Sequence, residues 1–142
     1  DVEAIHRHLE NLLAKDGAYL DAIFYCPHHP DKGFAGERPE LKITCGCRKP
    51  ASGLVDQACD LFRIDRSNSW FIGDNEGDLE CAANAGLQSV LVATGPAAGR
   101  VSCEAKPAFA APDVAAAVEE ILKRLGLAES GGVERRKSEV ES

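Results

Sequence analysis

Cys26-Pro27-His28 and, after a long intervening stretch, Cys45-Gly46-Cys47 offer three soft sulfurs and an imidazole, the donor set of a tetrahedral zinc site. Donors separated by one residue can both turn toward one ion when their backbone is a loop. Four protein donors fill a tetrahedron and leave no position for an activated water, so such a site is structural, not hydrolytic. The simpler reading is a set of unrelated residues, and His29 is as good a donor as His28. Cys47 runs straight into Arg48-Lys49-Pro50. A lysine there could neutralise phosphoryl oxygens as charge redistributes in a transition state. Most Arg-Lys pairs are merely exposed cations; the position between a fixed cysteine and a proline is what favours an anion-binding role.

A second constellation is Trp70-Phe71-Ile72-Gly73-Asp74-Asn75-Glu76-Gly77-Asp78. Asp74 falls at the end of a buried strand, where Gly73 would let the chain turn, and Asp78 follows one helical turn later. Magnesium takes a few carboxylate oxygens, several waters and a phosphate, which suits a strand-end aspartate. The competing reading is that Asp74 caps the following helix. No nucleophile is convincing: Ser52, Ser69, Ser89 and Thr94 lack an evident base and read as cap or turn residues.

These side chains must be positioned by regular elements. Val2, Ile5, Leu9, Leu12 and Leu13 recur at helical spacing until Asp16-Gly17. Asp21–Cys26 reads as a short buried strand that delivers Cys26 to a loop. Pro27 to Cys47 has neither period, and zinc would supply the order it lacks. Leu54, Val55, Ala58, Leu61 and Phe62 mark a helix with Ser52 as candidate N-cap; Ser69–Asp74 reads as a strand. Leu79, Ala82, Ala83 and Ala85 mark a short helix ending near Gly86, and Ser89–Ala93 a further strand. Thr94 to about Pro107 reads as loop, and Phe109 as part of a weak edge strand. Val114, Val118, Ile121, Leu122 and Leu125 stripe a final helix that opens at Pro112-Asp113 and ends at Gly126. Alternating helices and strands predict a parallel sheet with functional loops at the carboxyl ends of its strands. Residues 128–142 have no usable apolar face and are expected to be a disordered, charged tail.

The 142 residues, 44% hydrophobic and 27% charged, suit one globular domain. A net charge of -7 argues against a broad nucleic-acid surface but not against a local Arg-Lys pocket. No apolar run is long enough to cross a bilayer, and no basic-then-apolar leader is evident; no membrane partner and a cytoplasmic location are expected. Six cysteines are too few and too scattered for a secreted disulfide scaffold of this length. Cys59 and Cys81 fall in helical patterns as buried reduced thiols, and Cys103 receives no chemistry. The absence of methionine leads us to expect a fragment or a processed chain.

Taken in order, Tyr25-Cys-Pro-His-His29, Cys45-Gly-Cys-Arg-Lys-Pro50 and Phe71-Ile-Gly-Asp-Asn-Glu-Gly-Asp78 resemble the haloacid dehalogenase-like phosphatases, and within them the group acting on heptose 1,7-bisphosphate. The resemblance covers about residues 19 to 95. It implies a Rossmann-like α/β core, incomplete at its N-terminus, with a zinc-braced loop at 26–47, all within a partial phosphatase domain over residues 1–127. It assigns Cys26, His28, Cys45 and Cys47 to structural zinc, Arg48 and Lys49 to substrate phosphate, Asp74 to catalytic magnesium and Asp78 to support of the acidic site. Lys49 and Asp74 are thereby the catalytic residues; Asn75 receives no firm role. The implied reaction removes one phosphate from a phosphorylated sugar through an aspartyl-phosphate intermediate.

Histidinol-phosphate phosphatases share the zinc elements, with a typically shorter loop, and are the nearest competing substrate class. The chief departure is an absence: the family's Asp-x-Asp-Gly-Thr strand, whose first aspartate attacks phosphorus, and its later phosphate-binding Thr or Ser do not occur before Cys45. The chain is therefore expected to be inactive alone. Its other reading is a non-catalytic, zinc-stabilised binding module. A sheet lacking its first strand would also expose an edge, which invites oligomerisation.

Overall fold

The computed structural model describes residues 1–95 and 106–127. The expected tail at 128–142, Cys103 and most of the Thr94–Pro107 loop lie outside the described residues. Three strands, β1 (Trp70–Gly73), β2 (Gln88–Val92) and β3 (Phe109–Ala111), form a parallel sheet in the order β1-β2-β3. Trp70 pairs with Gln88 and Gly73 with Leu91; Val90 pairs with Phe109 and Val92 with Ala111. The edge strand at Phe109 is thus present.

Among the described residues four α-helices accompany the sheet: α1 (Val2–Lys15), α2 (Gly53–Phe62), α3 (Glu76–Ala85) and α4 (Val114–Arg124). Alternation along β2 sends Val90 and Val92 to one face, where they pack with Ala111, Ala117 and Ile121, joined by Trp70, Ile72 and Phe109. α4 reaches that core because Asp113 caps it, accepting from Ala116 N at 2.8 Å, so its apolar stripe begins in register. α3 is built of small residues and buries Leu79, Cys81, Ala82 and Ala85, which brings its axis close to the sheet. It stops where Gly86 takes the left-handed conformation at φ 72°, satisfying its last turn. Cys59 and Cys81 are buried thiols, as their place in the apolar patterns implies.

Two expectations need correction. Asp21–Cys26 is not a strand: the segment is without regular structure. Phe24 faces Phe71 of β1 across a largely apolar cavity of about 380 Å³, also lined by Leu54, Val55 and Ala58. Among the described residues no strand pairs with the segment, and β-propensity without a ladder does not make a strand. Ser52 does stand at the N-cap of α2, but its hydroxyl bonds the Asp56 carboxylate at 2.7 Å and makes no cap hydrogen bond. The first helix forms as its spacing predicts, yet buries none of its residues. Ile5 is 67% exposed.

Candidate functional site

Cys26, His28, Cys45 and Cys47 converge, all four donor atoms lying within 4.8 Å of one another. Sγ of Cys47 is 3.1 Å from Cys26, 3.0 Å from Cys45 and 3.5 Å from His28 Nδ1; Cys26 Sγ is 3.9 Å from that nitrogen. A zinc tetrahedron with its usual bond lengths has S···S edges of about 3.8 Å and S···N edges of about 3.6 Å, so the three sulfurs need to open by less than an ångström while the imidazole already stands near its place. His29 does not join them; its Nδ1 accepts from Asp31 N at 3.2 Å. Electrostatics inside the cluster favour a cation. Hydrogen bonding, chiefly from Cys47, lowers the Cys45 thiol to about 6, while the same contact pushes Cys47 up to about 12. One thiolate forms readily and the next is resisted by the first, a conflict that a divalent ion relieves.

The loop is fastened to α2. Gly53 N donates to Gly46 O at 2.9 Å, and a Cβ on Gly53 would lie 2.3 Å from that oxygen. Arg48 and Lys49 lie in the stretch between these two glycines, and the Lys49–Pro50 bond is cis. Arg48 Nη1 donates to His28 O at 3.1 Å, so one of its donors ties the two halves of the loop together. Lys49 reaches across to Asp78 and forms an ion pair with its Oδ1.

Asp78 is the most buried charged side chain of the site, 3% exposed. Its Oδ2 accepts from the backbone N–H of Asp74 at 3.0 Å and of Asn75 at 3.3 Å, while Oδ1 faces Lys49. The burial of this carboxylate is offset by hydrogen bonds and a cation. Gly73 is required here for a different reason from the expected turn. Its φ is not left-handed, but a Cβ would fall 2.2 Å from Cβ of Asp78. Asp74 does not cap α3 either. Asn75 does, in a reciprocal capping box with Asp78, which leaves Asp74 one residue outside the helix at the end of β1. The backbone also gives way around Asp74: a Cβ on Gly95 would be 2.1 Å from its Oδ2. A hard carboxylate oxygen at a strand end, beside Asn75 and its Lys49-paired neighbour Asp78, fits magnesium chemistry.

Cys26, Cys47, Arg48, Lys49, Asn75 and Gly77 wall one cavity of about 360 Å³. The cysteine loop and the first turn of α3 therefore share a pocket, and Asn75, to which sequence reasoning gave no role, is one of its walls. An Asn followed three residues later by Asp is a capping-box pattern, and that signal was available.

Residues 46–117, half of the chain, match the family model described as HAD-hydrolase-like. The chain belongs to the haloacid dehalogenase-like hydrolase family. A D-glycero-beta-D-manno-heptose-1,7-bisphosphate 7-phosphatase of Pseudomonas putida is 40% identical over 94 residues, covering 66% of this chain and 47% of the relative. The enzyme of the same name from Pseudomonas aeruginosa is 42% identical over the same shares. A crystal structure of D,D-heptose 1,7-bisphosphate phosphatase from B. bronchiseptica, complexed with magnesium and phosphate, superposes with a TM-score of 0.68 at 32% identity. It covers 87% of this chain, and this chain covers 64% of it. The chain spans about half the length of the curated relatives it matches. The α/β core with a parallel sheet, expected from the motifs, agrees with that family. Among the described residues no helix is long and apolar enough to cross a membrane.

Proposed function

We propose that this chain is part of a magnesium-dependent phosphatase that removes the 7-phosphate of D-glycero-D-manno-heptose 1,7-bisphosphate. The observation that carries the reading is the single pocket in which the Cys-His loop, Arg48 and Lys49 meet the amino end of α3. The names of its relatives supply the substrate class, and the magnesium and phosphate in the B. bronchiseptica structure supply the ligands.

In this reading residues 1–127 are one domain, and Cys26, His28, Cys45 and Cys47 hold a structural zinc that stiffens the loop. Lys49, held by Asp78 and half exposed on its other side, donates to the phosphoryl oxygens as negative charge builds on them. Arg48 lies on the same wall and binds the phosphate with the donors not used on His28. Asp74 holds the magnesium, which when bound offsets phosphoryl charge as a Lewis acid. The attacking aspartate, which would carry the aspartyl-phosphate, is a residue of the complete protein beyond this sequence. Two surfaces support that view: the apolar stripe of α1 is uncovered, and β1 has only β2 as a strand neighbour among the described residues. Further strands of the complete protein, or a second copy pairing through that edge, would cover them. We place the enzyme in the cytoplasm.

The test is phosphate release from heptose 1,7-bisphosphate by the complete protein with magnesium. Turnover is expected, and Lys49→Ala should reduce it by two orders of magnitude or more, on the order of 3 kcal/mol of transition-state stabilisation. Unaltered turnover in that variant would remove Lys49 from the mechanism. The chain alone should release no phosphate.

A further inference from the structure

Asn75 makes five hydrogen bonds at the centre of the site, one of them the ordinary first-turn bond from Leu79 N to its carbonyl at 3.4 Å. Its side-chain oxygen accepts from Asp78 N at 3.2 Å, its Nδ2 donates to Asp74 Oδ1 at 2.9 Å, its backbone N–H donates to Asp78 Oδ2, and its carbonyl accepts from Asp78 N at 3.1 Å. The amide orientation is forced. Turned over, it would set an NH2 against the Asp78 N–H and an oxygen against the Asp74 carboxylate, two repulsions in place of two hydrogen bonds. A capping role alone needs only the oxygen, which aspartate or serine supplies equally well. The second end of the amide is what distinguishes asparagine, and it is aimed at Asp74. Gly77, whose Cβ would lie 3.2 Å from Asn75 Oδ1, keeps the side chain close to the helix start.

We propose that Asn75 is a positioning residue that fixes the Asp74 carboxylate for a divalent cation. One end of its amide is anchored to the first turn of α3, so the other holds Oδ1 of Asp74 at a set rotation. The oxygens are then presented in one orientation before any cation arrives. Partners of this kind commonly change metal affinity 10- to 100-fold when removed. The inference rests on the proposed placement of magnesium at Asp74.

The test is Mn2+ binding to the complete protein, followed by electron paramagnetic resonance, together with the apparent Mg2+ constant for turnover and the melting temperature. Asn75→Gly keeps an acceptable cap but has no donor; Asn75→Ser keeps the cap with one short hydroxyl that cannot span both partners. Expected are a loss of Mn2+ affinity of about tenfold in the first and a smaller loss in the second, with a matching rise in the apparent Mg2+ constant for turnover in both. Affinities within twofold of the parent in both variants would overturn the inference. Asp74→Asn separates the two levels: if it abolishes binding while the Asn75 variants do not weaken it, only the role of Asn75 falls. If Asp74→Asn leaves Mn2+ binding intact, the cation is not at Asp74, and both readings fall.

Discussion

Gly73→Ala is the most searching perturbation of this site, because its effect follows from contact distances alone. The added methyl would lie 2.2 Å from Asp78 Cβ and 2.5 Å from both its Cγ and its Oδ2. Carbon atoms pack at about 3.5 Å or more, so α3 and β1 must separate by about 1.3 Å. Asp78 cannot yield that distance and keep its bonds to Asp74 N, Asn75 N and Lys49. Overpacking a core costs about 1–3 kcal/mol, and loss of a charge-assisted hydrogen bond about 1.5–3 kcal/mol; together we expect about 3–5 kcal/mol. That is a large part of the 5–15 kcal/mol that holds a typical domain together, roughly. Urea denaturation followed by the fluorescence of Trp70, the sole tryptophan, would measure it. Gly46→Ala is the control, since nothing lies within 4 Å of its Cβ, and it should change stability by less than about 1 kcal/mol. A Gly73→Ala protein within 1 kcal/mol of the parent, roughly, would refute the view that Asp78 is rigidly held.

Other outcomes are open to measurement. His28→Ala should bind zinc more weakly by metal analysis after dialysis against a chelator, whereas His29→Ala should behave as the parent, because only His28 joins the cysteines. Gly53→Ala should loosen the loop, since its Cβ would meet Gly46 O at 2.3 Å; faster zinc release to a chromogenic chelator is the expected sign. Arg66 donates to Ala85 O at 2.7 Å at the end of α3 and pairs with Asp56 at 2.8 Å, so Arg66→Ala should lower stability by about 1 kcal/mol in a denaturant titration. The Ser52 hydroxyl, then Arg66, hold the Asp56 carboxyl below its ordinary value. Its contribution is therefore present above the unfolded pKa of about 4 and lost as pH falls through the lower folded value. The melting-temperature gap between the parent and Asp56→Asn should close in that acid range.

Cysteine and histidine at one-residue spacing, the Arg48-Lys49 pair and the strand-end Asp74 were legible because donor chemistry and local spacing belong to residue type. The helices at 2–15 and 114–124 and the strands at 70–73 and 88–92 were legible for a like reason: apolar periodicity records which face is buried. What depended on distant backbone was not. Nothing in Asp21–Cys26 itself says that a cavity rather than a strand lies beside it. Gly73 looks like a turn residue until Asp78 is seen against it; the Asn75 cap, which displaces Asp74 from that role, was by contrast legible in its capping-box spacing.

The sequence by itself determined the chemical types at the site and the kind of element carrying each, since both follow from side-chain identity and the periods of helix and strand. Only the tertiary structure decided that His28 and not His29 meets the cysteines, that Lys49 crosses to Asp78, and that Asn75 turns toward Asp74. The first two depend on ångström-scale approach between residues 19 to 29 apart in the chain, fixed by packing at positions such as Gly53 and Gly73 where a single methyl would not fit, and the third on the capping geometry at the start of α3.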